Sequence, residues 1–287
     1  MTWLVTGAHG MLGTDLRATL EERGVEVQSV GRADLDLLDP DAVAAAVGGN
    51  DVVVNCAAWT AVDDAEEHEA EAFTTNAVAA GLLARAARRH DATIVQVSTD
   101  YVFAGDAGSP YAEDAALGPR SAYGRTKAAG EWVVRAEAPR QHLIVRTAWL
   151  YGAHGGCFPR TVARVARERG ALDVVEDQLG QPSWTRDVSD LIVRLVEANA
   201  PVGTWHATSE GQTSWFEFAQ RVVESAGLSA DVVRPVEAGS FPRAAPRPAY
   251  SVLGHDRLRE HGIEPIGDWR VRWEAAASGV LAALDQG

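Results

Sequence analysis

The sequence predicts an α/β fold: a doubly wound parallel sheet with a smaller C-terminal region. Three observations carry the prediction. Short, continuous apolar runs alternate with helical stretches through the first half of the chain, as in βαβ units whose strands are covered by helices on both faces. A glycine-rich turn, "TGAHGMLG", lies between the first run and the first helix, where a Rossmann-type sheet holds the pyrophosphate of a dinucleotide. Near Gly152 the alternation stops, so the rest of the chain builds something different.

Taken in order, "WLVTG", "VEVQSV", "DVVVNCAA", "TIVQVSTDYVF" and "HLIVRTAWLYG" are the strands. Between them, "MLGTDLRATLEERG", "DPDAVAAAVGG", "EAFTTNAVAAGLLARAARRH" and "SAYGRTKAAGEWVVRAEA" are the helices. Beyond Gly152, "CFPRTVARVARERG" and "DVSDLIVRLVEANA" read as helices and "GTWHATSEG" as a strand entering a turn. "SWFEFAQRVVESAG" is a helix opened by Ser214 with Glu217 three residues on, a capping box. "EAGSFPRAAPRPAYSVL", rich in Pro and Arg, predicts an extended loop. The expected division is a dinucleotide-binding domain over 1–152 and a mainly substrate-binding region over 153–287, with about 187–207 packing back on the first domain. Such a region closes over the carboxyl ends of the strands, where ligands bind in open α/β sheets.

Charge narrows the partners. Lys plus Arg 26 against Asp plus Glu 40 leaves a net charge of -14, which repels a nucleic-acid backbone and an anionic membrane alike. An anionic small molecule needs local positive charge instead, from helix N-termini or single arginines. The two cysteines, Cys56 and Cys157, form no C-x-x-C pair, which argues against a disulfide framework or thiolate metal site. "MTWLVTGAHG" lacks a basic n-region and its apolar run is cut by Gly7, so it does not read as a secretory signal. No segment approaches the roughly 20 apolar residues of a membrane span. The expected location is the cytoplasm.

Gly7, Gly10 and Gly13 permit a tight turn and a close backbone approach to a pyrophosphate seated on the helix N-terminus. With Met11 and Leu12 they form the expected cofactor loop. At the end of the second strand, in "SVGRADLD", an acidic residue favours the 2′-hydroxyl of NAD and an arginine the 2′-phosphate of NADP. Arg32 comes first and points to NADPH, Asp34 keeps NADH as an alternative, and Asp36 and Leu37 are placed to flank the adenine. Ser98 and Thr99 end a strand where the crevice opens. Tyr123 and Lys127, four apart, share one helix face. A hydroxyl, a phenol and an ammonium thus meet beside the nicotinamide.

T-G-x-x-G-x-x-G, S-T-D-Y and Y-x-x-x-K together resemble the extended short-chain dehydrogenases/reductases, over Thr6 to about Leu253. More closely, "AAWTAVD" (57–63), "STDYVF" (98–103), "YGRTKAAGE" (123–131), "RTAWLYG" (146–152), "DQLGQPS" (177–183) and "RPAYSVL" (247–253) are similar to the dTDP-4-dehydrorhamnose reductase family. The resemblance implies NADPH-dependent reduction of the 4-keto group of a dTDP-linked 6-deoxy-L-sugar to dTDP-L-rhamnose. It implies Tyr123 as general acid, Lys127 as the cation that favours the phenolate and holds the nicotinamide ribose, and Thr99 as donor to the developing oxyanion. Ala57, Ala58 and Thr60 then line the cofactor, and Asp100 and Trp149 touch the sugar, unless Trp149 is plain core. Arg247 is the candidate for the diphosphate, since a guanidinium suits phosphate oxygens; a solvated loop arginine is the alternative.

Some members of that family dimerise through a magnesium ion held by acidic side chains on the first helix and after G-x-P-[ST]. Here the helix offers Asp15, but Arg186 follows "GQPSW", and a cation there repels a metal. The expectation is a monomer or weak homodimer with no bridging metal. Asp100 is followed by Tyr101 rather than the glutamate of the related dehydratases, which favours reduction over elimination. Two alternatives stay open: reduction of another dTDP-4-keto-6-deoxy sugar of the antibiotic or dihydrostreptose type, and a non-catalytic NADP-binding regulatory subunit.

Overall fold

The computed structural model describes residues 1–282 of the chain. Its first part contains β1 (Thr2–Thr6), α1 (Met11–Glu22), β2 (Glu26–Val30), α2 (Pro40–Val47), β3 (Val52–Asn55), α3 (Glu69–Phe73), α4 (Ala79–Arg89), β4 (Thr93–Thr99), α5 (Ala122–Glu137) and β5 (His142–Thr147). There follow β6 (Leu150–Tyr151), α6 (Phe158–Arg169), β7 (Leu172–Val175), β8 (Leu179–Gly180), β9 (Ser183–Trp184), α7 (Thr185–Glu197) and β10 (Gly203–His206). The last are β11 (Ser209–Glu210), β12 (Thr213–Ser214), α8 (Trp215–Ser225), β13 (Val233–Val236), α9 (Asp256–Glu260), β14 (Ile266–Asp268) and α10 (Trp269–Leu281).

Six strands form one parallel sheet in the order β10-β5-β4-β3-β1-β2. Because successive side chains point to opposite faces, the continuous apolar runs feed two cores at once. Trp3 and Val5 of β1 and Val52 and Val54 of β3 pack with Leu16 and Leu191 of α1 and α7. Leu4 and Val53, the residues between, pack with Val43 and Leu83 of α2 and α4. That double burial explains why these strands do not alternate polar with apolar. The order reverses at β1, with β2 on one side and β3 on the other. A ligand crevice opens at such a switch point, outside the carboxyl ends of the strands.

Residues beyond Gly152 divide their packing. Helix α7 lies along α1, and β10 pairs in parallel with β5, so both extend the sheet layers. Helices α6, α8 and α10 instead gather round Phe218, which meets Trp269 and Trp273 edge-on at 5.8 and 5.4 Å. Strands β7 and β13 pair in parallel beside them.

Two local expectations are corrected. "EAFTTNAVAAGLLARAARRH" is not one regular helix: a π-helical turn at Thr74–Val78 separates α3 from α4. The extra residue turns Asn76 inward, where its Oδ1 accepts from the Trp59 amide at 2.9 Å and its Nδ2 donates to Thr126 Oγ1 at 3.0 Å. The capping box at α8 is half formed. Ser214 Oγ accepts from the Glu217 amide at 3.1 Å, but Glu217 Oε2 takes a hydrogen bond from the Thr213 hydroxyl at 2.8 Å.

Candidate active site

The loop between β1 and α1 is built for a close approach. Gly7 has φ +64, and a β-carbon there would lie 2.6 Å from the Ala57 amide nitrogen. At Gly13 a β-carbon would lie 2.4 Å from the Gly7 carbonyl oxygen. Both glycines are thus required by the contact of backbone with backbone, whereas Gly10 is exposed. Gly10 caps α1 without a side-chain hydrogen bond, leaving first-turn amides, those of Met11 and Leu12 among them, free for an anion. The Leu12 side chain is buried in the core with α7, so its contribution to a ligand is its backbone.

The end of the crevice beyond β2 is wet. Arg32 is exposed and carries no ion pair among the described residues. Asp34 Oδ2 accepts from the Gly31 amide at 2.8 Å and lies 3.6 Å from His9 Nε2. Asp36 Oδ1 accepts from the Leu38 amide at 2.9 Å, and Leu37 packs against the core of α2 and α4. On the far side of Gly7, Ala57 and Ala58 are half-buried and Thr60 is exposed.

The carboxyl end of β4 meets the first turn of α5. Ser121 caps that helix, its Oγ accepting from the Gly124 amide at 3.0 Å. Thr99, Asp100, Tyr123 and Lys127 are all buried there. Thr99 Oγ1 donates to Asp100 Oδ1 at 2.8 Å and accepts from the Tyr101 amide at 3.2 Å. The Tyr123 phenol lies near the same hydroxyl, which favours its ionised form. The Tyr101 and Tyr123 rings meet edge-on at 5.5 Å. Lys127 Nζ donates to the Val97 carbonyl at 2.7 Å.

Burial governs the protonation states. It pushes Asp100 up to about 6 against its hydrogen bonds, pulls Lys127 down to about 8 against the charge of Glu131, and pushes the Cys56 thiol up to about 12. The expectation that Lys127 depresses Tyr123 is corrected: Tyr123 lies well above the ordinary phenol value. Burial raises it, the Thr99 hydrogen bond offsets only part of the rise, and the nearby Asp100 charge adds to it. The phenol therefore holds its proton firmly.

Trp149 sits at φ +45, a left-handed conformation rare for a bulky residue. Its indole stacks on Trp215, centroids 3.5 Å apart and planes 9° apart, and covers Gly180. Beyond it lies a cavity of about 820 Å³ lined in part by Tyr101, Phe158, Arg169, Trp215, Arg234 and Arg247. Arg247 is not a free cation. Its Nη2 donates to Asp63 Oδ2 at 2.8 Å and its Nη1 to the Ala245 carbonyl at 3.0 Å. Asp63, Asn76 and Trp215 escaped the sequence reading. Asp63 ended the quoted "AAWTAVD" and Trp215 followed the Ser214 cap as the first residue of α8, but no local signal gave either a distant partner.

At the α1–α7 junction, Asp15 Oδ2 accepts from the Thr185 hydroxyl, and Arg186 pairs with Glu22. Among the described residues no group of three or more His, Cys, Asp or Glu side chains is gathered to hold a metal, and no helix is long and apolar enough to cross a membrane.

The family model of the RmlD substrate binding domain matches residues 1–281. A probable dTDP-4,6-dihydroxy-2-methyloxan-3-one 4-ketoreductase of Streptomyces antibioticus is 48% identical, over 99% of this chain and 97% of that protein. A dTDP-4-dehydrorhamnose reductase of Streptomyces griseus is 46% identical, over 93% and 90%. Among solved structures, the Bacillus anthracis dTDP-4-dehydrorhamnose reductase in complex with NADP is 35% identical, over 96% and 98%, with a TM-score of 0.92.

Proposed function

We propose, from the premise that the chain belongs to the dTDP-4-dehydrorhamnose reductase family and is an NAD(P)-dependent oxidoreductase, that it reduces dTDP-4-dehydro-6-deoxy-L-mannose to dTDP-L-rhamnose with NADPH. The observation that carries the reading is the buried cluster of Thr99, Asp100, Tyr123 and Lys127 beside a helix N-terminus that no side chain caps. The residues fit a nicotinamide dinucleotide: open first-turn amides for its diphosphate and Arg32 for a 2′-phosphate. Asp34, committed to the Gly31 amide, is a poor rival for the ribose, which supports NADPH over NADH.

The bound cofactor supplies a hydride to the keto carbon. The chain supplies the rest. Tyr123, whose proton burial retains, gives that proton to the carbonyl oxygen as charge develops on it, so the product is an alcohol and the phenol becomes a phenolate. Lys127, cationic at neutral pH, attracts that phenolate. Thr99 can turn its hydroxyl from Asp100 to the same oxygen. Asp100 and the stacked Trp149 and Trp215 bound the sugar. Arg247, though paired with Asp63, and the other arginines of the adjoining cavity offer guanidinium donors for a diphosphate within an acidic chain. Arg186, paired with Glu22, puts a cation beside Asp15 where a bridging metal would need a second acid, so the assembly we expect is a monomer or a weak homodimer without one.

The test is oxidation of NADPH by the purified protein on dTDP-4-dehydro-6-deoxy-L-mannose generated in situ, with NADH in parallel. Formation of dTDP-L-rhamnose is expected; tight NADPH binding without turnover overturns the assignment. A second reading, reduction of a different dTDP-4-keto sugar, is favoured by the 48% identity with the Streptomyces antibioticus ketoreductase. A panel of keto sugars separates the two.

A further inference from the structure

We infer that Glu131, gripped by Arg146, is a positioning residue for Lys127: its buried carboxylate fixes the ammonium at the Val97 carbonyl and keeps it charged. This rests on the reading that Tyr123 and Lys127 carry the reduction. Both new residues belong to stretches already singled out, "YGRTKAAGE" and "RTAWLYG", in which neither had a role.

Glu131 is 0% exposed and Arg146 1%. All the carboxylate's capacity is engaged. Oε1 accepts from Ser98 Oγ at 2.6 Å and Arg146 Nε at 2.9 Å; Oε2 accepts from Arg146 Nη2 at 2.8 Å and Arg135 Nη2 at 3.2 Å. Glu131 stands one turn beyond Lys127 on the same face of α5. Ser98 stands on β4 between Val97, whose carbonyl accepts from Lys127, and Thr99. The carboxylate therefore ties the lysine's helix to the strand that bears both of its neighbours. Arg146 is itself locked, with Nη1 donating to the Glu113 carbonyl at 3.1 Å and its guanidinium 4.8 Å above the Phe103 ring.

A buried ion pair is weak evidence of stability, since apolar residues of similar volume often serve as well. Its charge must be used. The groups whose charge acts on Lys127 are Glu131 on its own helix and Cys56 after β3, while the Tyr123 phenol, one turn back on the same face, is neutral because burial holds its proton. The Cys56 thiol, pushed up to about 12 by burial, is neutral at pH 7. Burial works to raise Glu131, but the hydrogen bonds and charge of Arg146, with Ser98 and Arg135, bring it below the usual carboxylate range. His206, behind Arg146 at 3.5 Å, is kept neutral by burial. Glu131 is thus the anion that resists deprotonation of Lys127.

The test compares Glu131→Gln, which keeps shape and loses charge, with Glu131→Asp, which keeps charge and shortens reach. In Glu131→Gln the basic limb of the kcat profile is expected to move about one pH unit toward acid, which is a tenfold change in the lysine's proton affinity, with the KM for NADPH within about twofold. In Glu131→Asp the limb stays in place and kcat falls several-fold. A Glu131→Gln profile superimposed on the wild type overturns the inference, whatever happens to Tm. Where Glu131→Gln fails to fold, Glu131→Gln/Arg146→Gln, which leaves no unpaired buried guanidinium, carries the same comparison. Tyr123→Phe runs alongside: turnover in that variant means the catalytic reading itself has failed. In that event, or without turnover in the wild type, a ¹³C NMR titration of Lys127, the one lysine of the sequence, decides: an unchanged Lys127 midpoint in Glu131→Gln overturns the inference.

Discussion

The two ends of the crevice obey different physics. At the Tyr123 end every polar group is buried, so desolvation sets the protonation states: Asp100 rises to about 6 and Lys127 falls to about 8. At the Arg32 end the side chains stand in water, where charges are screened and single contacts contribute little. The lesson is that exposure leaves side chains at the wet end near their ordinary values, whereas the dry end needs the burial that only the fold supplies. Removing groups one at a time should therefore cost much at one end and little at the other.

The largest effect is expected from Tyr123→Phe. Loss of the general acid should lower kcat by about 10³-fold, with the Kd for NADPH nearly unchanged because the ring and its packing remain. Steady-state kinetics and a fluorescence titration check both halves. A loss of less than tenfold would mean that another group delivers the proton.

Asp100 comes next, through stability rather than rate. Its folded pKa lies above the unfolded carboxylate value because burial disfavours the charge. The folded state therefore holds more protons between about pH 4 and pH 6, and stability falls as pH rises through that window. Above about pH 6 the full penalty, up to about 3 kcal/mol, is present. Asp100→Asn should raise Tm at pH 7 by several degrees and lose this advantage below about pH 4, as thermal melts across that range would show. Equal gains at both pH values would place the effect in packing, not charge.

At the wet end, Arg32→Ala should raise the KM for NADPH about tenfold, the value of one modest charge-assisted contact, and leave NADH unaffected. Equal losses for the two cofactors would remove Arg32 from the 2′-phosphate.

The same contrast explains what the sequence displayed. Strand runs, the glycine loop and the Tyr123–Lys127 spacing are short-range patterns, and each strand's double burial leaves an unbroken apolar run. The direction of the Tyr123 shift was misread because a Y-x-x-x-K spacing records a neighbour's charge and not its desolvation. Asn76 was invisible because a π-helical turn has no residue signature in an apolar helix. Trp215 stacks on Trp149 from 66 positions away in numbering, and Asp63 meets Arg247 at a separation of 184; no local window joins them.

That last pair sits between the two regimes, half exposed beside the cavity, and its test has the smallest expected effect. Asp63 neutralises Arg247 through a 2.8 Å hydrogen bond and also accepts from the Ala245 amide at 3.1 Å. It can therefore act on a substrate diphosphate in two opposed ways, by cancelling positive charge or by holding the loop that presents it. In Asp63→Asn the one remaining oxygen can still accept from the Ala245 amide, while the negative charge and the acceptor for Arg247 go. Cancellation then predicts a KM for the nucleotide sugar about threefold lower at low salt, a gain that fades as screening shortens electrostatic reach toward about 3 Å at 1 M salt. Loop anchoring predicts the reverse, a KM that rises and ignores salt. The hydration of this site argues for the first outcome, and a salt series on one variant decides between them.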